Sequence, residues 1–259
     1  RHLSTVRVVH WNVRRCIDIS GVSSLPRVLQ TLESLQPLIL TLNEVDIRCT
    51  PSLMQHLESK LGLPHASFFG HVRGTYGNLI ASKVPLQNVM HIHLRGGSEV
   101  RLKDGGPHRI ARGLLCADLS VFGVHLRVLL THLDHMSTEE RRTQMRHLLQ
   151  SLRTLANGQQ CLLIGDLNAL SRCDLTSQEW VSHENYNLSM GWEPPIDESQ
   201  AGGVLAMLRD AQFVDSYASL ECPPDWRAPP WTAHSAFDSC KPLSDAKSSL
   251  CGVELPEGI

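Results

Sequence analysis

The stretch Leu162-Leu163-Ile164-Gly165-Asp166-Leu167-Asn168-Ala169 decides how the chain is read. A short apolar run closed by a glycine reads as a buried strand, and this one ends by launching a carboxylate and a carboxamide two residues apart. Residues i and i+2 of a strand point the same way. Asp166 and Asn168 therefore converge on one ligand if the extended geometry persists past Gly165, and such a pair suits a divalent cation and a phosphate oxygen. The same letters also compose a Gly-Asp turn with Asn168 capping a helix.

Working outward, Ser137 and Glu140 predict a capping box, followed by a helix with Met145, Leu148, Leu149, Leu152 and Leu155 on one face before Gly158. At the start of the chain, residues 6–10 read as a strand ending at Trp11-Asn12-Val13. The spacing of Leu25, Val28, Leu29, Leu32 and Leu35 predicts a helix capped by Ser23 or Ser24 and stopped by Pro37. A second strand over 38–42 carries Asn43-Glu44-Val45-Asp46 at its end. Thr50-Pro51 then opens a helix closed near Gly62. Two β-then-α units in succession favour an α/β architecture. Strands are predicted over 78–82, 86–94, 110–119 and 124–131, with Phe122-Gly123 as a hairpin turn, and a short helix over 204–211.

A length of 259 residues fits one large α/β domain, and no composition shift forces a division. With 42% hydrophobic and 19% charged residues and a net charge of -2, the chain has a globular composition and no overall basic bias toward nucleic acid. The eight cysteines include no Cys-x-x-Cys pair, which argues against a zinc ribbon or a thioredoxin-like motif. There is no signal-like start and no apolar run near the roughly 18 residues of a membrane span, so no membrane span is expected and an intracellular setting is favoured. The first residue is Arg rather than Met, and an upstream segment is expected to be missing.

Several predicted strand ends carry polar residues: Asn12, Glu44, His132 with Asp134 and His135, and Asp166 with Asn168. Ligands of open α/β sheets collect outside strand carboxyl ends. Each residue alone has an ordinary explanation, as a turn former, a solvated carboxylate or a packed histidine; four coincident strand ends carry the functional reading. A hard cation needs one or two carboxylates plus water and substrate phosphate, for which Glu44 and Asp166 suffice. Asn12 and Asn168 can donate amide hydrogens to a phosphate. His132 can assist a leaving group or steady developing charge. The set reads as metal-assisted phosphoester hydrolysis. A competing reading is that Thr131-His132-Leu133-Asp134-His135 resembles the His-x-His-x-Asp-His zinc motif of metallo-β-lactamase-like hydrolases. Position 130 is Leu, so that motif lacks its first ligand.

The ordered motifs resemble the endonuclease/exonuclease/phosphatase superfamily, with its deoxyribonuclease I-like fold. His10-Trp11-Asn12-Val13 is similar to T-W-N-(I/V/L), Leu42-Asn43-Glu44-Val45 to L-Q-E-(V/T), and the run from Tyr76-Gly77-Asn78 to Pro85-Leu86 to a G-N-A-I-L-S-R-x-P strand. Arg112-Gly113-Leu114-Leu115, Thr131-His132-Leu133-Asp134-His135 and Gly165-Asp166-Leu167-Asn168 match the three that follow. The resemblance implies a four-layer α/β sandwich with two central mixed β-sheets flanked by helices. It implies Mg²⁺ or Mn²⁺ as cofactor, Glu44 and Asn12 at the metal, and His132, Asp166 and Asn168 as catalytic residues. Asn78, Arg112, Asp134 and His135 would bind phosphate or substrate, whether nucleic acid, phospholipid or inositol phosphate.

The C-terminal part departs from the family. After Gly165-Asp166-Leu167-Asn168, members continue to an I-D-Y-I-like strand and a terminal S-D-H, and neither can be placed here; Ser244-Asp245-Ala246 only imitates S-D-H with Ala in the His place, too soon after Ser235 for a strand and loop to fit between them. The expectation is therefore an incomplete domain over 1–235 with final strands missing, a divergent tail over 236–259 without regular order, and an uncovered sheet edge. A truncated or alternatively spliced phosphoesterase of impaired activity follows, with a catalytically inactive binding or regulatory isoform as the alternative.

Overall fold

The structure, a computed structural model, describes residues 5–101, 106–155, 159–216 and 250–254. It opens with strand β1 (Thr5–Asn12), helix α1 (Leu25–Leu35), strand β2 (Ile39–Asp46) and helix α2 (Leu53–Leu61), the succession read from the sequence. Pro26 lies in the first turn of α1. Gly62 ends α2 in the left-handed conformation, with its N–H on the Glu58 and Leu57 carbonyls. Strands β3 (His65–Val72), β4 (Tyr76–Ser82), β5 (Gln87–His93), β6 (Glu99–Arg101), β7 (Pro107–Arg109), β8 (Gly113–Val121) and β9 (Val124–His132) follow. Helix α3 (Thr138–Leu155), strand β10 (Gln160–Asp166), helices α4 (Ser177–Ser189) and α5 (Val204–Asp210) and strand β11 (Leu250–Glu254) complete the order.

The strands form two mixed sheets and a small β6-β7 ribbon. One sheet runs β11-β1-β2-β4-β3, parallel only between β1 and β2; the other runs β10-β9-β8-β5, parallel only between β10 and β9. Val6, Val8, Ile39 and Ile80 of the first sheet meet Leu115, Ala117, Leu119, Val128 and Leu130 of the second in an apolar layer. A second layer joins the outer face of the first sheet to α1 and α2 through Leu29, Leu32, Leu40, Leu42, Leu53 and Leu57. A third joins Leu114, Cys116 and Leu129 to Met145, Leu148 and Leu152 of α3 and Val204 of α5. Each fully buried leucine contributes roughly 1.5–3 kcal/mol by leaving water. Helix, sheet, sheet and helix stack in that order, which is the four-layer sandwich expected from the motifs.

Three expectations are corrected. The box at Ser137 and Glu140 does not form: Ser137 Oγ donates to Glu193, Glu140 accepts from the Gly97 N–H, and Glu193 takes the Thr138 N–H at the start of α3. The capping box lies instead on α4, between Thr176 and Glu179, a helix that the weak apolar periodicity of 177–189 concealed. Residues 250–254, expected to fall in a tail without regular order, pair antiparallel with β1 and cover the edge expected to be open. Among the described residues, no helix is long and apolar enough to cross a membrane.

Candidate active site

The two parallel pairs, β1 with β2 and β9 with β10, bring four strand ends into contact across the sandwich. Asn12 is the last residue of β1, His132 the last of β9 and Asp166 the last of β10. Glu44 lies inside β2 at a register shift between Leu42 and Val45, with φ +58°. A β-bulge re-aims a side chain out of strict alternation, and here it turns Glu44 toward Asn12. Left-handed geometry at a non-glycine residue costs on the order of 1–3 kcal/mol and clusters at functional sites.

A single amide joins the two acids. Asn12 Nδ2 donates to Glu44 Oε1 at 3.0 Å and to Asp166 Oδ2 at 2.9 Å, while Asn12 Oδ1 accepts from the Arg14 N–H at 3.2 Å. Asn12 therefore offers its nitrogen to both acids and its oxygen to the backbone, an arrangement that suits it to orienting Glu44. The Tyr76 hydroxyl also bonds to Glu44; burial and then that carboxylate push its pKa well up, so it serves as a donor.

Asp166 follows Gly165, whose φ of +147° is one that side chains rarely adopt, and both residues remain paired with Thr131 and His132 of β9. The Asp166 N–H donates to Asn43 Oδ1 at 2.8 Å, Asn43 Nδ2 donates to Asn78 Oδ1 at 2.8 Å, and Asn78 Nδ2 donates to the Gly113 carbonyl at 3.1 Å. This buried relay ties β10 to β2, and β4 to β8, directly beneath the site. Asn168 adopts φ +48°, its N–H bonds back to Asp166 Oδ1, and its Nδ2 donates to the Leu133 carbonyl. The extended geometry carries through Asp166, which still pairs with His132, and ends before Asn168: the residues after Asp166 form a loop that serves the site without capping a helix.

His132 is buried, with Nε2 4.0 Å from Asp166 Oδ2 and Nδ1 3.3 Å from Arg112 Nη1. Arg112 Nη2 reaches His135 Nδ1 at 3.0 Å, and His135 packs edge-on against Trp192. Burial, and next the Arg112 charge, hold His132 well below the ordinary imidazole pKa and lower His135 to about 4. Burial likewise lowers His10, beside Thr41, to about 4. These histidines are neutral at pH 7.

Two expected substrate contacts are relocated. Asn78 is fully buried and spends its amide within the relay. Asp134, also fully buried, accepts from the Ser98 N–H and hydroxyl and from the Met136 and Ser137 N–H groups. It organises the loop after β9. Burial by itself raises its pKa, but those four donors reverse the sign and lower it. With Asp134 so committed, the zinc reading through His132, Asp134 and His135 loses its geometry, and among the described residues no three His, Cys, Asp or Glu side chains converge to hold a metal. A zinc site needs three or four protein ligands. Mg²⁺ or Mn²⁺ needs only one or two carboxylates with water and substrate phosphate, a demand that Glu44, oriented by Asn12 beside Asp166, fits.

The family model of the Endonuclease/Exonuclease/phosphatase family matches residues 9–238, a span that includes every residue named at this site. The chain belongs to that family. Solved structures similar to this family member include the human Nocturnin catalytic domain with bound sulfate anion, at TM-score 0.50 and 23% identity over 64% of this chain and 65% of that one. ANGEL2, a 2',3'-cyclic phosphatase, aligns at TM-score 0.52 and 20% identity over 68% and 56% of the two chains. Sphingomyelinase C from Streptomyces griseocarneus aligns at 0.53 and 15% over 82% and 72%. At these identities the likeness is one of fold, and the chain spans less than two thirds of the Nocturnin domain and of ANGEL2. A comparison with curated protein sequences gives no match.

Sequence reasoning assigned no role to Asn43, Tyr76 or His10. Asn43 carried one usable signal, a polar residue between apolar Leu42 and the site carboxylate Glu44.

Proposed function

We propose that this chain hydrolyses phosphate esters, diester or monoester, at the cleft where β1, β2, β9 and β10 end, with Mg²⁺ or Mn²⁺ as cofactor. The carrying observation is the Asn12 amide, which draws Glu44 and Asp166 from two different sheets to one point. Carboxylates held so close repel unless positive charge joins them. A bound divalent cation supplies that charge and stabilises the negative charge developing on the phosphate. Glu44 holds it, and Asn12 orients Glu44. Asp166 orients the attacking water, Asn168 offers its remaining amide hydrogen to a phosphate oxygen, and His132 steadies the charge that develops. Arg112 and His135 bind the phosphate, while Asn78 and Asp134 act as scaffold beneath it. The near-neutral charge favours a defined small or lipid phosphate ester over non-specific nucleic acid, which requires a basic groove.

The test is hydrolysis of bis(p-nitrophenyl) phosphate and p-nitrophenyl phosphate with Mn²⁺ or Mg²⁺. Turnover should vanish with chelator and fall at least about 100-fold in Asp166→Ala at unchanged circular dichroism. Turnover indifferent to metal or to Asp166 contradicts the proposal. A second reading is a phosphate-binding protein without turnover, because the sequence contains no Ser-Asp-His triplet. Metal-dependent turnover by this chain excludes it. Absent turnover in the metal-supplied chain supports it.

A further inference from the structure

Arg112 is only 3% exposed, and among the described residues its guanidinium has no carboxylate partner. Its Nε is buried without any partner. Its two terminal nitrogens are directed at ring nitrogens, His132 Nδ1 at 3.3 Å and His135 Nδ1 at 3.0 Å. A guanidinium has donors and no acceptor. Both Nδ1 atoms must therefore accept, and the single proton of each neutral ring stands on Nε2. The neighbouring His71 has the reverse arrangement: its Nδ1 faces the Ala111 carbonyl at 3.0 Å, which can only accept, so its proton stands on Nδ1.

We propose that Arg112 is a positioning residue that fixes His132 and His135 as neutral Nε2–H tautomers, so that His132 acts in the site as a hydrogen-bond donor and not as a proton-transferring acid. The 4.0 Å between His132 Nε2 and Asp166 Oδ2 is too long for a direct bond. A phosphate oxygen beside Asp166 can take that N–H. An imidazolium would require a second N–H on Nδ1, aimed at the N–H of Arg112. The proton of the leaving group then comes from water and not from His132. Arg112 acts on the phosphate twice, through its charge and through the donor it creates on each ring.

The proposal rests on the phosphoesterase reading only for its consequence; the tautomers are measurable without turnover. Long-range proton–nitrogen NMR of the full chain at neutral pH, assigned with His132→Gln and His135→Gln, should give the Nε2–H pattern for both rings and the Nδ1–H pattern for His71. Arg112→Met should release both rings to mixed tautomers. Arg112→Lys, which carries one ammonium in place of the fork, should keep at most one ring fixed. If the chain hydrolyses phosphate esters, Arg112→Met should lower kcat by about 10- to 100-fold, beyond any rise in KM. A wild-type His132 that is protonated on Nδ1, or doubly protonated, overturns the proposal. So does an unchanged His132 pattern in a folded Arg112→Met. Should that variant not fold, the wild-type and Arg112→Lys spectra still decide.

Discussion

Gly165 has φ +147°, and a Cβ built there would lie 1.9 Å from the Thr131 carbonyl oxygen on the adjacent strand. Backbone on backbone has no soft direction, so β10 would have to move away from β9, and Asp166 with it. Gly165→Ala should destabilise the fold by about 2–4 kcal/mol in urea titrations; a loss below about 0.5 kcal/mol would show that the close approach is not tight. At this scale the placement of polar residues was legible at the ends of apolar runs: Asn12, His132 and Asp166 end strands, and Glu44 faces Asn12. The full burial of Asn78 and Asp134 was not legible, because a motif does not encode burial. The partners of Asn43 lie 35 and 123 positions away in the chain, so its role emerges only when the sheets meet.

The Asn43 and Asn78 relay belongs to the scale of elements, since it joins the end of β10 to β2, β4 and β8 through two fully buried side chains. Leucine at 78 fills nearly the same volume but leaves the Asn43 amide without its acceptor and the Gly113 carbonyl with the Thr131 hydroxyl in place of two side-chain donors. Asn78→Leu should cost about 2–4 kcal/mol, measured by chemical denaturation, and should loosen Asp166, seen as faster amide hydrogen exchange at that residue. Exchange unchanged at Asp166 would remove the relay's positioning role. The β-then-α opening and the β8-β9 hairpin at Phe122-Gly123 were readable because local turn chemistry and helical spacing agree there. Strand β3 was not: His65-Ala66-Ser67-Phe68-Phe69-Gly70 lacks alternation, and its pairing with β4 holds it extended. The covered β1 edge was equally hidden, because β11 lies more than 230 residues from its partner.

The whole molecule carries a pH signature. His10, His71 and His135 are each lowered to about 4, in every case chiefly by burial. An unfolded chain protonates these rings near pH 6.5. Their contribution to stability is thus complete above about pH 6.5 and is lost as the pH falls toward 4. Asp118, held below the ordinary carboxylate range by its hydrogen bonds from Arg127, keeps its contribution above the unfolded aspartate value and loses it at still lower pH. Both trends have one sign. Denaturation free energy should be flat above about pH 6.5 and fall by several kcal/mol by pH 4; a flat profile across that window would mean that these rings are solvated. The largest question at this scale is whether the two sheets, brought together by their core, assemble a cation site. Titration with Mn²⁺ followed by electron paramagnetic resonance tests this directly. The account predicts a single bound ion per chain, with affinity lowered at least about tenfold in Glu44→Gln; no bound Mn²⁺, or binding indifferent to Glu44, would contradict it.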